Sequence, residues 1–327
     1  MDVANKHSID FIYDNRVISS IIGSSHDSVV SLSEIKMSFR GHKKDITHID
    51  AFDEYKRSGL DKVILYVPGL FTDETLWMNR VIEIDNRKIV SAGIADDYQA
   101  KGYFPLYVRY NHGKHISENG KELLRLLEQF IKNDPEIKIN IISYSIGCLI
   151  VRSMLYYSRE NISSIGIKNI AKVIFISSPD GGSYLEKSGF WLSFLMESSP
   201  YTALKLLGII GNLRSDAIKD LSHGIIREAD WKNYNPFTRY WEDKYFGELD
   251  NIDCYQFYSS FAEDDNPLHE WLGDGIVELP SLQLLSDKVF KRKDRKELRS
   301  TNITSTNHFT IMQSGTLRKI LADIMEI

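Results

Sequence analysis

The chain has 327 residues, of which 43% are hydrophobic and 26% are charged, a balance typical of a globular protein with a sizeable core. The formal net charge of −5 argues against a protein that binds nucleic acid. The two cysteines, Cys148 and Cys254, are too few for a disulfide framework and fall in predicted buried elements, so we expect reduced core residues. We see no signal-peptide pattern at the amino terminus and no run of about 18 apolar residues that predicts a membrane span. These observations predict a cytoplasmic protein.

Residues 1–58 carry the weakest pattern. Apolar residues in 17–22 and 29–37 could form one side of two short helices, and such faces usually pack against a core. The alternative is that these two helices cover the mouth of a site on the main domain. We therefore predict a helical segment over 1–58, of unknown role, followed by one domain over 59–327.

The first clear strand is Val63–Val67, and the sequence Pro68-Gly69-Leu70-Phe71-Thr72 follows it. A glycine directly after a strand permits a tight turn, and in hydrolases the turn at this place supplies one backbone N–H of an oxyanion hole. Read alone, the segment fits an ordinary strand-to-loop turn equally well. Leu70 is the candidate donor, and Phe71 is a candidate for the wall of a substrate pocket.

A second strand is predicted over Phe104–Tyr110. A loop with His112 and His115 follows it, and then a helix that begins near Ser117 and ends at Asp134-Pro135. Two nearby histidines suggest a metal site, but no further group of cysteines, histidines or carboxylates completes a ligand set. We therefore treat both as loop residues and predict neither a metal nor a cofactor.

The centre of the sequence is residues 139–152, where an apolar strand pattern meets Ser143-Tyr144-Ser145-Ile146-Gly147 and a helical pattern then runs to about Arg159. Strand, sharp turn and helix form the context of a nucleophile elbow, which exposes a serine hydroxyl beside the N–H groups of a helix start. Ser145 is the candidate nucleophile, and Ile146 N–H is the second candidate oxyanion donor. Because Ser143 stands where the usual pattern has glycine, a chance serine in a loop is the alternative for this motif alone.

Another strand, Lys172–Ser177, ends at Ser178-Pro179-Asp180-Gly181-Gly182. Strands that alternate with helices predict an α/β fold, with a doubly wound, mostly parallel sheet and helices on both faces. From about 182 to 250 the alternation stops and apolar residues crowd together, which predicts a helical cap insertion. The cap could line a pocket for an apolar group or only pack onto the sheet. The further pocket candidates are Tyr144, Asp180 and Trp191.

The last third of the sequence offers two carboxylates and two histidines for a site with Ser145. A serine nucleophile needs a base that is itself oriented by an acceptor, and on this type of sheet the three arrive in the chain order serine, acid, histidine. His308, just before the final helix, fits the base better than His269. Asp274, between two glycines that allow a tight turn, is favoured as the acid. Asp264, nearer the end of a strand predicted over 255–258, is the alternative.

Together these motifs resemble those of the bacterial lipase-like α/β-hydrolases, the branch related to triacylglycerol lipases and GPI inositol-deacylases. The resemblance runs from about Lys62 to the end of the chain. Four positions depart from the family's usual glycine or histidine, namely Pro68, Ser143, Tyr144 and Asp180. The similar segments are Pro68-Gly69-Leu70, Arg109 through Gly120, Ser143 through Cys148, Ser178 through Gly182, Ala217 through Trp231, Gly273 through Val277, and Asn307-His308.

The resemblance implies an α/β-hydrolase fold with a cap, in which Ser145 is the nucleophile, Asp274 the acid and His308 the base, with Leu70 and Ile146 as oxyanion donors. The expected function is that of an esterase or lipase, which cleaves carboxylic esters through an acyl-enzyme on Ser145. The alternative is a catalytically impaired member of the fold that binds an apolar ligand or a partner protein. Acyl transfer and amide hydrolysis would use the same site.

The expected partner is a small-molecule or lipid ester, and no nucleic acid is expected. The segment Asp287–Arg299 is strongly basic. Such a stripe is most often a solvated helix or loop, and peripheral contact with an anionic membrane is the alternative. Nothing in the sequence predicts an oligomeric state.

Overall fold

The computed structural model describes ten stretches of the chain: residues 36–42, 44–70, 72–84, 87–91, 93–160, 166–183, 216–232, 244–260, 273–290 and 299–326. Several predicted features lie outside these residues. They are Phe71, Trp191, Asp264, His269, the apolar segments before residue 36, residues 184–215 and 233–243 of the predicted cap, and residues 291–298 of the basic segment.

Within the described residues, an eight-stranded sheet forms the centre of the fold, with the order β10-β9-β8-β7-β3-β6-β1-β2. The strands from β10 to β6 pair in parallel, whereas β1 is antiparallel to both β6 and β2. A separate antiparallel hairpin, β4–β5, was not predicted. The bounds are Ser38–Arg40 (β1), Asp45–Ile46 (β2), Lys62–Val67 (β3), Arg80–Ile84 (β4), Arg87–Ser91 (β5), Tyr103–Arg109 (β6), Ile139–Tyr144 (β7), Ile170–Ile176 (β8), Asp253–Tyr258 (β9) and Ser300–Asn302 (β10).

Helices cover both faces of this sheet, and no described helix is long and apolar enough to cross a membrane. The longest, α3, has an apolar side formed by Leu123, Leu127 and Phe130, all of which are buried. The helices are α1 His48–Ser58, α2 Ile94–Gln99, α3 Ile116–Ile131, α4 Ile146–Glu160, α5 Gly166–Asn169, α6 Asp216–His223, α7 Glu228–Lys232, α8 Leu279–Leu282 and α9 Gly315–Ile324.

The core is divided by the sheet into two layers, since the central strands are buried on both faces. Along β3, Val63 and Leu65 pack in the layer formed with α1, α3 and α4. The residue between them, Ile64, packs on the opposite face in the layer that contains residues of α2 and α9. The predicted doubly wound α/β fold is therefore confirmed. Because the central strands run in parallel, their carboxyl ends meet at one edge, where open α/β sheets place their sites.

The domain begins earlier than residue 59. β1 pairs with β6, the ring of Phe39 lies 5.6 Å from the ring of Phe130, and α1 packs on the same layer through Ala51 and Tyr55. The predicted boundary at residue 58 is wrong because strands of three and two residues are too short to give a readable pattern.

The described part of the predicted cap contains the helices α6 and α7. The N–H of Ala217 donates to the carbonyl of Gly113 at 3.3 Å, and Ile218 belongs to the core layer of α3 and α4. This part of the segment therefore packs onto the helical layer.

Candidate active site

Ser145 occupies a sharp turn between β7 and α4. Its φ of +54° lies in the left-handed region, which is strained for serine and is the conformation that a nucleophile elbow imposes. The N–H of Ser145 donates to the carbonyl of Ile176 at 2.9 Å, and its carbonyl accepts from Cys148 N–H at 2.9 Å. A Cβ on Gly147 would lie 2.4 Å from the carbonyl oxygen of Pro68, so only glycine lets the end of β3 approach this closely.

Ser143, which stands where the usual elbow pattern has glycine, fits because its hydroxyl is satisfied inside the protein. The side chain is fully buried. Its Oγ donates to the carbonyl of Ile174 at 3.3 Å and lies 3.4 Å from the Sγ of Cys148. Burial raises the pKa of Cys148 to about 12. Both cysteines are buried and neither forms a disulfide, as predicted.

His308 connects Ser145 to Asp274. The Nε2 atom of His308 lies 3.0 Å from Ser145 Oγ, and its Nδ1 atom lies 2.7 Å from Asp274 Oδ2. Only about 1% of the surface of His308 and of Asp274 is exposed. A carboxylate that accepts from Nδ1–H leaves Nε2 as the acceptor for the serine proton, which is the tautomer a general base requires.

The loop that carries Asp274 is shaped by the glycines on either side of it. Gly273 and Gly275 have φ values of +51° and +96°, and a Cβ on Gly273 would lie 1.8 Å from the carbonyl oxygen of Val277. Asp274 Oδ1 accepts from the N–H groups of Ile276 and Val277 at 3.1 and 2.9 Å. These bonds hold the carboxylate in the orientation that faces His308.

The turn after β3 lies directly beside the serine. A Cβ on Gly69 would lie 2.9 Å from Ser145 Cβ, and the carbonyl of Gly69 accepts from Thr72 Oγ1 at 2.9 Å. Ile146 opens α4, where the first N–H groups have no acceptor within the helix. Leu70 and Ile146 therefore belong to two segments that meet at Ser145.

A buried charged cluster holds the chain just after this turn. The guanidinium of Arg109 donates to Glu74 Oε2 at 2.7 Å and to Asp73 Oδ2 at 3.2 Å, and Arg40 Nε donates to Glu74 Oε1 at 3.1 Å. Burial, and secondarily Glu74, raises the pKa of Asp73, while Arg109 opposes the shift. This cluster could not be predicted from the sequence because its members come from three distant segments.

Asp180, a further predicted pocket residue, lies in a buried charged cluster. Its carboxylate is fully buried and accepts from Arg152 Nη1 at 3.0 Å, Ser178 Oγ at 2.7 Å and Gln256 Nε2 at 3.0 Å. Arg152 also donates to Glu248 Oε1 at 2.8 Å. Burial raises the pKa of Asp180 to about 6, against the opposing effect of Arg152. The turn after β8 directs this side chain inward to α4, a contact that no local pattern reveals.

The same turn supports the loop of Asp274. Ser281 Oγ accepts from Gly181 N–H at 3.0 Å and donates to the carbonyl of Gly182 at 2.6 Å. Ser183 Oγ donates to the carbonyl of Ile276 at 2.8 Å. The main chain of Gly181 and Gly182 thus helps to hold the segment that follows the Asp274 loop. These contacts could not be predicted from the sequence.

Tyr144, another predicted pocket residue, is buried and contacts His308. Its hydroxyl donates to the carbonyl oxygen of His308 at 2.7 Å, and the two ring centroids lie 5.2 Å apart. The structure therefore places Tyr144 with the histidine.

The two histidines after β6 have different surroundings. Burial lowers the pKa of His112 to about 4. His115 Nδ1 lies 3.1 Å from Asp220 Oδ1, and its ring stacks on Trp231 with centroids 3.9 Å apart. His115 therefore joins the start of α3 to α6 and α7. Among the described residues, no three His, Cys, Asp or Glu side chains form a group that could hold a metal ion.

The sheet order and a serine on the turn after its central strand β7 define the α/β-hydrolase fold. A family model described as "Putative serine esterase (DUF676)" matches residues 109–213, about a third of the chain, and this segment includes Ser145. The match supports a hydrolase of the ester type, and the predicted resemblance to lipase-like α/β-hydrolases is confirmed. A sequence search among curated proteins gave no match.

Three solved structures illustrate the likeness. The mature lipase BlEst2 of Bacillus licheniformis is 18% identical, with 81% of this chain and 92% of that chain covered and a TM-score of 0.48. A carboxylesterase of the thaumarchaeon Nitrososphaera gargenis is 10% identical, with 89% and 93% covered and a TM-score of 0.46. The hydrolase BphD of Rhodococcus sp. strain RHA1 is 12% identical, with 82% and 91% covered and a TM-score of 0.44.

Proposed function

We propose that the protein is a serine hydrolase that cleaves carboxylic esters through an acyl-enzyme on Ser145. The observation that carries the proposal is the unbroken chain of hydrogen bonds from Ser145 Oγ through His308 to Asp274, with distances of 3.0 and 2.7 Å. A serine hydroxyl becomes a useful nucleophile only beside such an oriented base. The strained backbone of Ser145 supports the proposal because strain of this kind concentrates at functional sites.

In the first half of the reaction, Ser145 Oγ attacks the ester carbonyl carbon while its proton passes to His308 Nε2. The negative oxygen of the tetrahedral intermediate accepts hydrogen bonds from the N–H groups of Leu70 and Ile146. Each such donor contributes roughly 3–4 kcal/mol in comparable enzymes. The bond to the leaving alkoxide then breaks, and His308 returns the proton so that an alcohol departs and the acyl group stays on Ser145.

Water completes the cycle at the same groups. His308 takes a proton from a water molecule whose oxygen adds to the acyl carbon, and the second tetrahedral intermediate releases the carboxylic acid as Ser145 recovers a proton from His308. Asp274 remains ionised throughout and stabilises the imidazolium that forms twice in each cycle. An acyl acceptor other than water would convert the same steps into acyl transfer.

The proposed substrates are esters with an apolar acyl group, since the predicted cap is rich in apolar residues. Hydrolysis of p-nitrophenyl esters of increasing acyl length, with and without micelles, tests both the reaction and the preference. We expect Ser145→Ala to lower kcat by at least about 10³-fold.

The matched control is Ser153→Ala. Ser153 is a buried serine of α4, the helix that begins directly after Ser145. Its Oγ donates to the carbonyl of Ile226 at 2.6 Å, so its removal should leave kcat within about twofold. A folded wild-type protein with no activity across the panel, or equal rates for wild type and Ser145→Ala, would contradict the proposal.

A further inference from the structure

Tyr144 links the strand of the nucleophile to the main chain of the base. It is the last residue of β7, directly before Ser145, and its hydroxyl donates to the carbonyl oxygen of His308 at 2.7 Å. Burial raises the pKa of Tyr144 well above its ordinary value, so the phenol keeps the proton that it donates. This hydrogen bond thus joins two residues that are 164 positions apart in sequence.

The main chain of His308 is held on both sides. Its N–H donates to the carbonyl oxygen of Asp274 at 3.0 Å, and its carbonyl accepts from Tyr144. The first bond ties His308 to the acid loop, and the second ties it to the nucleophile strand. A shift of the histidine backbone away from Ser145 would therefore break the bond to Tyr144.

The ring of Tyr144 is itself fixed. A Cβ on Gly69 would lie 2.8 Å from Tyr144 Cδ1, so the ring packs directly against the turn that precedes Leu70. On its other side the ring centroid lies 5.2 Å from the imidazole centroid of His308. The tyrosine therefore contacts both the proposed oxyanion loop and the proposed base.

We propose that Tyr144 is a positioning residue that holds His308 at proton-transfer distance from Ser145 by binding the histidine carbonyl. This inference rests on the proposed function, in which His308 moves the proton. A misplacement of about 1 Å in such a group can cost about 10²-fold in rate. The role belongs to the hydroxyl, since phenylalanine would keep the ring and its packing.

The test compares Tyr144→Phe with Tyr103→Phe in the full chain. Tyr103 is a buried tyrosine whose hydroxyl donates to the backbone carbonyl of Met325 at 2.9 Å, so both substitutions remove the same kind of hydrogen bond and should lower the thermal midpoint by similar amounts. We expect Tyr144→Phe to lower kcat for a p-nitrophenyl ester at least tenfold with KM within about twofold, and Tyr103→Phe to leave both within about twofold.

A second readout does not depend on turnover. The proton NMR signal of the Nδ1–H of His308, identified by its loss in His308→Ala, should shift or broaden in Tyr144→Phe and stay unchanged in Tyr103→Phe. Unchanged kcat and an unchanged signal in Tyr144→Phe would overturn the role of Tyr144. If the wild-type protein hydrolyses no ester, the proposed function fails, and the NMR signal alone decides whether Tyr144 positions His308.

Discussion

Two buried aspartates lie near the carboxyl edge of the sheet, and they differ in the group that each one faces. Asp274 accepts from an imidazole whose other nitrogen reaches a serine hydroxyl. Asp180 accepts from a guanidinium, a serine and a glutamine. Because an arginine side chain does not give up its proton, the Asp180 cluster can hold segments together but cannot relay a proton. Burial near the end of a strand therefore does not distinguish the two aspartates. The group that each carboxylate faces does, namely His308 for Asp274 and Arg152 for Asp180.

The largest predicted effect is on kcat, and the same substitution by asparagine at Asp274 and at Asp180 should give very different values. Asp274→Asn should lower kcat by about 10³- to 10⁴-fold, because an amide no longer holds the base in its required tautomer. Asp180→Asn should change kcat by less than about threefold, because Asp180 contacts none of the reacting groups. Ester hydrolysis by purified, folded variants measures both, and equal losses in the two variants would remove the distinction between the clusters.

The next largest effect is on the free energy of unfolding, and it concerns the buried cluster of Arg152, Asp180 and Glu248. Arg152→Met would leave Asp180 and Glu248 buried without their cation, and we expect the free energy of unfolding to fall by about 3–5 kcal/mol. Neutralising both carboxylates in the same chain, through Asp180→Asn and Glu248→Gln, should recover part of that loss. Urea unfolding measures these changes.

The control for Arg152→Met is Lys56→Met. Lys56 forms a half-exposed ion pair with Asp134 at 2.8 Å, and such pairs contribute about 1 kcal/mol or less. A loss in Arg152→Met no greater than that in Lys56→Met would mean that the buried cluster contributes no more than a surface pair.

The smallest effect is a pH dependence. Burial raises the pKa of Asp180 to about 6, against about 3.9 in an unfolded chain, so between these values the folded protein holds more protons. The contribution of Asp180 to stability is therefore full below about pH 4 and is lost as pH rises through about 6. The difference between the folded and unfolded pKa values corresponds to a change of about 3 kcal/mol at most in the free energy of unfolding.

We therefore expect Asp180→Asn to gain stability relative to wild type between pH 4 and 6.5, as measured by urea unfolding at several pH values. The comparison with wild type is needed because His112, whose pKa is lowered to about 4 by burial, titrates over part of this range with the opposite sign. A stability difference that does not change with pH would show that Asp180 is ionised throughout.

The parts of the fold and site that could be predicted are those with local signals. Gly69, Gly147 and Gly273 mark places where the backbone turns sharply or approaches another segment closely, and each accompanies a predicted site loop. The central strands were readable because they are apolar on both faces. Asp274 was favoured over Asp264 by its flanking glycines, and the structure places it against His308.

What could not be predicted depends on contacts between distant segments. Nothing near Asp180 in the sequence indicates that Arg152 faces it, and nothing near Tyr144 indicates that its hydroxyl reaches His308. Strands β1 and β2 were missed because they are too short to show alternation, although pairing with β6 brings them into the sheet.

Whether Ser145 is a nucleophile activated by His308 is tested most directly by locating the adduct of a fluorophosphonate probe. Such a probe phosphonylates a serine that is activated by a base, and digestion followed by mass spectrometry locates the adduct. We predict a single adduct on Ser145 in the wild-type protein, its absence in Ser145→Ala, and strongly reduced labelling in His308→Ala. A folded wild-type protein that carries no adduct, or carries it on another residue, would contradict the account.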